Sequence, residues 1–405
     1  MKIHRNLAEA VVDNLREILE DGRYADKVIE RRLKQNPRWG GRDRRFVAEA
    51  TYDIVRWQRL LQELTQSSAG DYWALLGACC IRNDLELPPW DEFRSVSREQ
   101  IAANQARTAA VRRIRESIPD WLDEQGEREL GPVWDTELKA LNEQARVVLR
   151  TNTLKLTRDA LQIRLQDEAG IETETLAGCP DALVLGQRQN IFGLRAFNEG
   201  LFEVQDAGSQ RIAPYLDAEP GMRVIDACAG AGGKTLHLAA LMQNKGRILA
   251  LDTEEWKLKE MKKRARRAGA NDLIETRLID SNKVIKRLAE SADRLLLDVP
   301  CSGLGVLRRN PDAKWKLSPE FLLRVRQQQQ EILRGYAAML KPGGILVYST
   351  CSILPSENRG QIDHFMAEHG DAFEFLADDV LLPSAGFDGF YLCRLRKKAG
   401  AVSSS

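Results

Sequence analysis

Two short segments carry thiols beside groups that could use them, Asp298-Val299-Pro300-Cys301-Ser302-Gly303 and Ser349-Thr350-Cys351-Ser352. A thiolate is a strong nucleophile, and a neighbouring acid can stabilise electron density added to a substrate. Two thiols on one site suit a reaction in which one adds to a ring and another group drives release. Carbon 5 of cytosine needs such help: it is too poor a nucleophile to take a methyl group until a thiolate adds to carbon 6, and its proton must then be removed. Asp298 suits the remaining task, stabilising ring nitrogen 3 while protonated or sharing a proton. A free thiol has a pKa near 8.5 and is only a few per cent thiolate at neutral pH, so the site must lower that value. Lys234 and nearby backbone amides are the candidate agents.

The elements that must position these residues follow from the pattern of apolar runs. From Gly221 onward RVIDAC, RILALD, IETRLID, RLLLDVP and GILVYST are short apolar strands, most separated by helix-length segments. That alternation predicts a doubly wound parallel sheet, with DGFYLCRLRK as a further strand. Ligands of such sheets lie beyond the carboxyl ends of the strands. Both thiols follow strand ends, and neighbouring strands lie about 5 Å apart, so adjacent strands would put both sulfurs on one rim. Spacing leaves open which thiol attacks. Cys79, Cys80, Cys179 and Cys393 lack such settings and read as small buried hydrophobes.

The first strand runs into Asp226-Ala227-Cys228-Ala229-Gly230-Ala231-Gly232-Gly233-Lys234-Thr235, a glycine-rich turn before an apolar helix. Glycines allow close backbone approach, and a helix N-terminus offers N–H groups to a carboxylate or phosphate. A phosphate loop would need glycine at Cys228, and a dinucleotide fingerprint would need one at Thr235, so neither template fits. Asp252, ending the second strand, can accept hydrogen bonds from a ribose diol. Asp280, closing the third, would border an adenine. The pattern suits an adenosine-type cofactor.

Composition bounds the partners. At 405 residues the chain is long enough for two or three compact units. Its 60 Lys and Arg against 59 Asp and Glu leave a net charge of +1, so any nucleic-acid surface must be local. Seven scattered cysteines without a CxxC pair argue against structural zinc and a secreted disulfide framework. A charged N-terminal segment and the lack of a long apolar run point to a soluble cytoplasmic protein with no membrane span and no metal.

Helical periodicity from Leu7 to about Leu64 and the apolar run Tyr72 to Ile81 predict a helical bundle over residues 1–140. Residues 141–220 read as a small α+β module, with VVLRTNTLKL, ALVLG and NIFGL as strands and DALQIRLQDEAG as a helix. Residues 221–397 form the α/β domain, and 398–405 a disordered tail.

At the glycine loop, DVPCSG and STCS the chain resembles the RsmB and Sun-domain family of RNA cytosine-5 methyltransferases. VQDAGSQ at 204–210, RRNPDAKW at 308–315, PSEN after the second cysteine and DGFYLCRL near the end are also in character. The resemblance implies a Rossmann-like S-adenosylmethionine-dependent catalytic domain behind a small RNA-recognition module and a NusB-like helical domain, acting as a monomer on 16S ribosomal RNA. It implies cofactor contacts from Cys228, Ala229, Gly230, Ala231, Gly232, Gly233, Lys234, Asp252, Asp280 and Asp298. It also ranks the thiols: Cys351 as nucleophile and Cys301 as the residue assisting release. Gly230-Ala231 departs from the usual Ala-Pro of the family, which predicts a more flexible turn.

The target cytosine must be unpaired or splayed out for a thiol to reach it. Candidate RNA contacts are Arg42, Arg44, Arg45 and Trp57, and Arg308, Arg309, Lys314 and Trp315. KKRARR at 262–267 reads as a solvated helix face, and Trp39 and Trp57 fit packing better than stacking. The rival readings are a transfer-RNA methyltransferase, a DNA cytosine methyltransferase with Cys301 as nucleophile, and an RNA-binding assembly factor without catalysis.

Overall fold

The computed structural model describes Ile3–Gly400, so residues 401–405 of the expected tail lie outside the described residues. The chain divides into two compact units. One holds the chain up to Gln144 together with Val306–Pro319, and the other holds Ala145–Gly305 and the chain from Glu320 onward.

The first unit is helical. Helices Arg5–Leu19, Ala25–Gln35, Gly41–Thr65, Tyr72–Arg82 and Arg98–Ala110 enclose a core that includes Leu15, Ile54, Leu61 and Leu76. Tyr72–Arg82 is apolar on nearly every face because it runs through the middle of this core. Its first turn is closed by the Asp71 side chain, which accepts from Ala74 N–H at 3.0 Å. Shorter helices, ending with Trp134–Asn142, complete the unit.

The stretch Val306–Pro319 forms no strand; it is a run of turns around the one-turn helix Ala313–Lys316, and several of its polar groups are spent inside the helical unit. Lys314 Nζ donates to Arg56 O at 2.8 Å, Trp315 Nε1 to Val55 O at 2.7 Å, and Arg308 Nη2 to Ala140 O at 2.7 Å. Arg308 and Lys314 are only 4% and 2% exposed. This corrects the expectation that Arg308, Lys314 and Trp315 offer themselves to RNA: backbone carbonyls of the bundle already hold them. In the same unit Arg44 bonds the Trp39 and Asn36 carbonyls, whereas Arg42 and Arg45 remain exposed. Trp39 and Trp57 pack against the core, as their setting predicts.

The second unit contains two sheets. The smaller comprises β1 (Val148–Thr151), β2 (Thr173–Leu176), β3 (Cys179–Leu185) and β4 (Phe202–Val204), antiparallel in the order β2-β3-β1-β4. NIFGL makes no strand. Ile191 is buried as a plug in the core of this sheet, and the edge strand forms further on, at Phe202.

The larger sheet comprises β5 (Arg223–Asp226), β6 (Arg247–Asp252), β7 (Ile274–Leu278), β8 (Ala292–Asp298), β9 (Leu340–Thr350), β10 (Phe373–Leu381) and β11 (Phe390–Lys397), in the order β10-β11-β9-β8-β5-β6-β7. The five strands β5 to β9 are parallel, and β11 pairs antiparallel with both β9 and β10. The sheet is therefore mixed rather than wholly parallel. The short link from β10 to β11 permits only an antiparallel return, since a parallel one needs a crossover of about a dozen residues. Strand order reverses at β5, between β6 and β8, which makes the rim beyond β5 and β8 the expected binding crevice.

The run at 262–267 lies on helix Glu255–Ala268 and is only half solvated. Arg264 pairs with Glu203 at 2.9 Å, and Arg267 also bonds Glu203 and lies over the Phe197 ring. Two of its arginines thus clamp β4 to the helix, while Lys262, Lys263 and Arg266 stay outside. No helix of the described residues is long and apolar enough to cross a membrane.

Candidate active site

Register brings the two thiols together. Asp298, the last residue of β8, stands opposite Ser349 of β9, so Cys301 and Cys351 leave adjacent strand ends within three residues of a shared rung. Their sulfurs are 3.3 Å apart. Val299 N–H donates to Ser349 O at 3.0 Å and Gly305 N–H to Cys351 O at 2.9 Å, which stitches the two loops beyond the sheet. Gly389 N–H in turn donates to Gly305 O at 2.8 Å, so the DGF segment before β11 closes the same cluster.

Asp298 accepts from Lys234 Nζ at 2.5 Å and from Ser349 Oγ at 2.9 Å. Burial works to lower the Lys234 pKa, but Asp298, with smaller help from the charges of Cys351 and Asp226, outweighs it and raises the value. The ammonium is therefore kept charged inside the site. The Cys301 thiol is pushed well above its ordinary value, first by its hydrogen bond to Cys351, then by burial and by the Cys351 and Glu357 charges. Either sulfur can donate to the other across this contact.

The glycine turn after β5 has the backbone its sequence requires. Gly230 and Gly232 have φ of 54° and 88°, left-handed values that favour glycine. Gly232 N–H bonds Ala229 O at 3.0 Å, Ala231 O takes Arg264 Nη1 at 2.8 Å, and Gly230 N–H donates to Asp252 Oδ2 at 2.8 Å. These bonds hold the turn at three points in a segment that lacks the proline. Two residues that the sequence pattern leaves without a role support it from below: Arg150, which donates to Gly233 O at 2.6 Å, and Gln205, which bonds Arg150 and Ser209. VQDAGSQ is the one signal for Gln205; Arg150 looks like any residue of an exposed strand.

The rim fits an adenosine-type cofactor with a charged amino-acid tail. Asp252 ends β6 with its second oxygen on Glu254 N–H at 2.8 Å, which aims the carboxylate and leaves lone pairs for a diol. Asp226 is 1% exposed and bonds Thr235 through Oδ2 at 2.7 Å, while among the described residues its Oδ1 meets no hydrogen-bond partner. An orphaned acceptor buried under the glycine turn suits a ligand donor. Cys228 and Ala229 line the turn, and Gly233 opens helix Gly233–Leu241. β7 ends at Leu278, but Ile279 N–H still donates to Asp252 O at 2.9 Å, so the exposed Asp280, bonded to Ser281 Oγ, follows directly on a residue tied to the end of β6. Among the described residues no cluster of His, Cys, Asp and Glu could hold a metal ion.

A Rossmann-like sheet with such a rim defines an S-adenosylmethionine-dependent methyltransferase. Residues 213–380 match the family described as 16S rRNA methyltransferase RsmB/F, and residues 118–192 match the ferredoxin-like domain of RsmF/B-like methyltransferases. The chain belongs to this RsmB/F family. It is 32% identical to the probable ribosomal RNA small subunit methyltransferase B of Synechocystis, over 95% of this chain and 97% of that protein. It is 35% identical to the Bacillus subtilis protein of the same description, over 76% and 72%. The crystal structure of PH0851 superposes with a TM-score of 0.81 at 25% identity, over 98% of this chain and all of that one.

Proposed function

We propose that the chain methylates carbon 5 of a cytosine in 16S ribosomal RNA, with Cys351 adding to carbon 6 and Cys301 serving release. The observation that carries this reading is the 3.3 Å approach of the two sulfurs beside the Lys234–Asp298 pair. Family membership and the names of the relatives supply the ribosomal substrate.

S-adenosylmethionine, when bound, supplies the methyl group. Asp252, the turn 228–233 and the orphaned Asp226 oxygen would hold it. The chain's own residues do the rest. Cys351 Sγ bonds carbon 6, and the proton shared by Lys234 and Asp298 is the source of a hydrogen bond to ring nitrogen 3 as electron density arrives there. Once Cys351 is a thioether, its sulfur no longer exchanges a proton with Cys301 across the 3.3 Å contact. Cys301 can then lose its proton to solvent, take the carbon-5 proton, and return to its starting state as the carbon–sulfur bond breaks. One proton is released overall.

In this reading residues 1–140 and 141–220 present RNA to the catalytic residues 221–397 in the cytoplasm, with the target base splayed from its helix. Mapping 5-methylcytosine in a deletion strain tests it. Loss of one 16S site, restored by the wild-type gene, is expected. Loss confined to transfer RNA would move the substrate there, and no loss would favour an assembly factor.

A further inference from the structure

One buried carboxylate fastens both thiol-bearing segments. Glu357, in the PSEN stretch after β9, is 0% exposed. Its Oε2 accepts from Ser302 N–H at 2.7 Å and from Gln329 Nε2 at 3.2 Å. Its Oε1 accepts from Ser352 Oγ at 2.5 Å and from Ser302 Oγ. Ser302 follows Cys301 and Ser352 follows Cys351, so each cysteine has its next neighbour tied to one carboxylate.

The surroundings fix Glu357 in turn. Tyr348 OH donates to its backbone oxygen at 2.8 Å, and Asn358 holds Ser352 O at 2.9 Å and accepts from Thr350 Oγ1 at 2.5 Å. Gln329 Nε2 also donates to Pro300 O at 2.9 Å, just ahead of Cys301. Among the described residues no lysine, arginine or histidine pairs with Glu357. A charge buried on hydrogen bonds alone is costly, and apolar packing would serve stability as well. What the carboxylate provides that apolar packing cannot is geometry, because its two oxygens take donors from two different loops at fixed angles.

We propose that Glu357 is a positioning residue that holds the Cys301 and Cys351 sulfurs at their working separation by fastening the residue after each. The spacing itself needs no assumption about substrate; the effect on turnover rests on the cysteine roles proposed above. The carboxylate charge adds a second effect, as one of the influences that keep the Cys301 thiol protonated.

The test reads the spacing directly, on the full chain. Diamide oxidises two nearby thiols to a disulfide, taking up their two hydrogens as it becomes the hydrazine. Peptide mapping by mass spectrometry then times the Cys301–Cys351 link. Glu357→Ala is expected to slow the link about tenfold and to lower kcat about 100-fold, since displacements near 1 Å cost this much, while KM for RNA and cofactor affinity change less than about twofold. Glu357→Gln should recover most of both, because the serine hydroxyls can turn to accept from its amide. Wild-type linking and turnover in a folded Glu357→Ala would overturn the proposal. Should that variant lose cofactor binding, Ser352→Ala removes one tie alone; a slower link supports the proposal, and a wild-type rate overturns it. A slower link in Glu357→Ala, from a wild type that methylates no RNA, would uphold the positioning role and sink the functional reading instead.

Discussion

Cys301 and Cys351 face each other across the seam between β8 and β9 with sulfurs 3.3 Å apart. The Cys301 thiol is pushed up first by its hydrogen bond to Cys351, then by burial and by Glu357. The roles proposed for them, attack by Cys351 and release by Cys301, need both sulfurs at this separation.

Lys234→Met removes the cation bonded to Asp298 and leaves a largely enclosed carboxylate unpaired. Breaking such a pair from one side should destabilise the protein by about 3 kcal/mol. It should also lower kcat by about 100-fold through lost preorganisation. Thermal melting and single-turnover rates check both. In an Asp298→Asn background the added stability loss should shrink by about 1 kcal/mol or more. Equal losses in the two backgrounds would mean that the pair is not coupled.

Asp226 gives a pH signature. Burial pushes its carboxyl up to about 7, against the hydrogen bond from Thr235 and the Lys234 charge, with the Asp298 charge adding to the rise. A folded value above the ordinary 3.8 means that the native chain binds this proton more tightly than the unfolded chain. The group's stabilisation is therefore complete below about pH 4, is lost as pH rises to about 7, and is constant beyond. Asp226→Asn mimics the protonated form at every pH. Its stability relative to wild type should thus increase from about pH 4 to about pH 8, by a few kcal/mol at most. Urea unfolding of both proteins at the two ends of this range measures it, and a pH-independent difference would contradict it.

Gly305→Ala probes the stitching of the loops. A β-carbon there would meet Gly389 O and lie 2.8 Å from Cys351 O, both backbone atoms that cannot swing aside. The strain should cost about 1–3 kcal/mol. Displacing Cys351 should also reduce turnover about 100-fold. Cofactor affinity should persist, because the turn 228–233 is untouched. Calorimetry with the cofactor beside a turnover assay separates these outcomes; full activity would show that the thiols tolerate movement of their loops.

Much of the site is legible in the sequence because the chemistry sits at strand ends. Asp226, Asp252 and Asp298 close apolar runs, and both cysteines follow such runs, so the apolar pattern alone marks out the rim. Asp280 stands two residues past the end of β7, with Ile279 N–H still bonded to Asp252 O. The direction of β11 is not legible from its own residues; it follows from the short link to β10, a strand too polar to stand out. Arg308, Lys314 and Trp315 read as an RNA surface because cationic and aromatic side chains usually lie outside, and only the fold shows the carbonyls that receive them. Glu357 is hidden for the same reason: its burial depends on four donors drawn from three separate segments.

The covalent adduct tests the central claim most directly. Each variant is mixed with 16S ribosomal RNA and S-adenosylmethionine, and the protein–RNA complex is resolved under denaturing conditions. Cys301→Ala should accumulate an adduct through Cys351, wild type should show little, and Cys351→Ala should form none and transfer no methyl group. An adduct that builds up in Cys351→Ala and vanishes in Cys301→Ala would reverse the two roles and contradict the account.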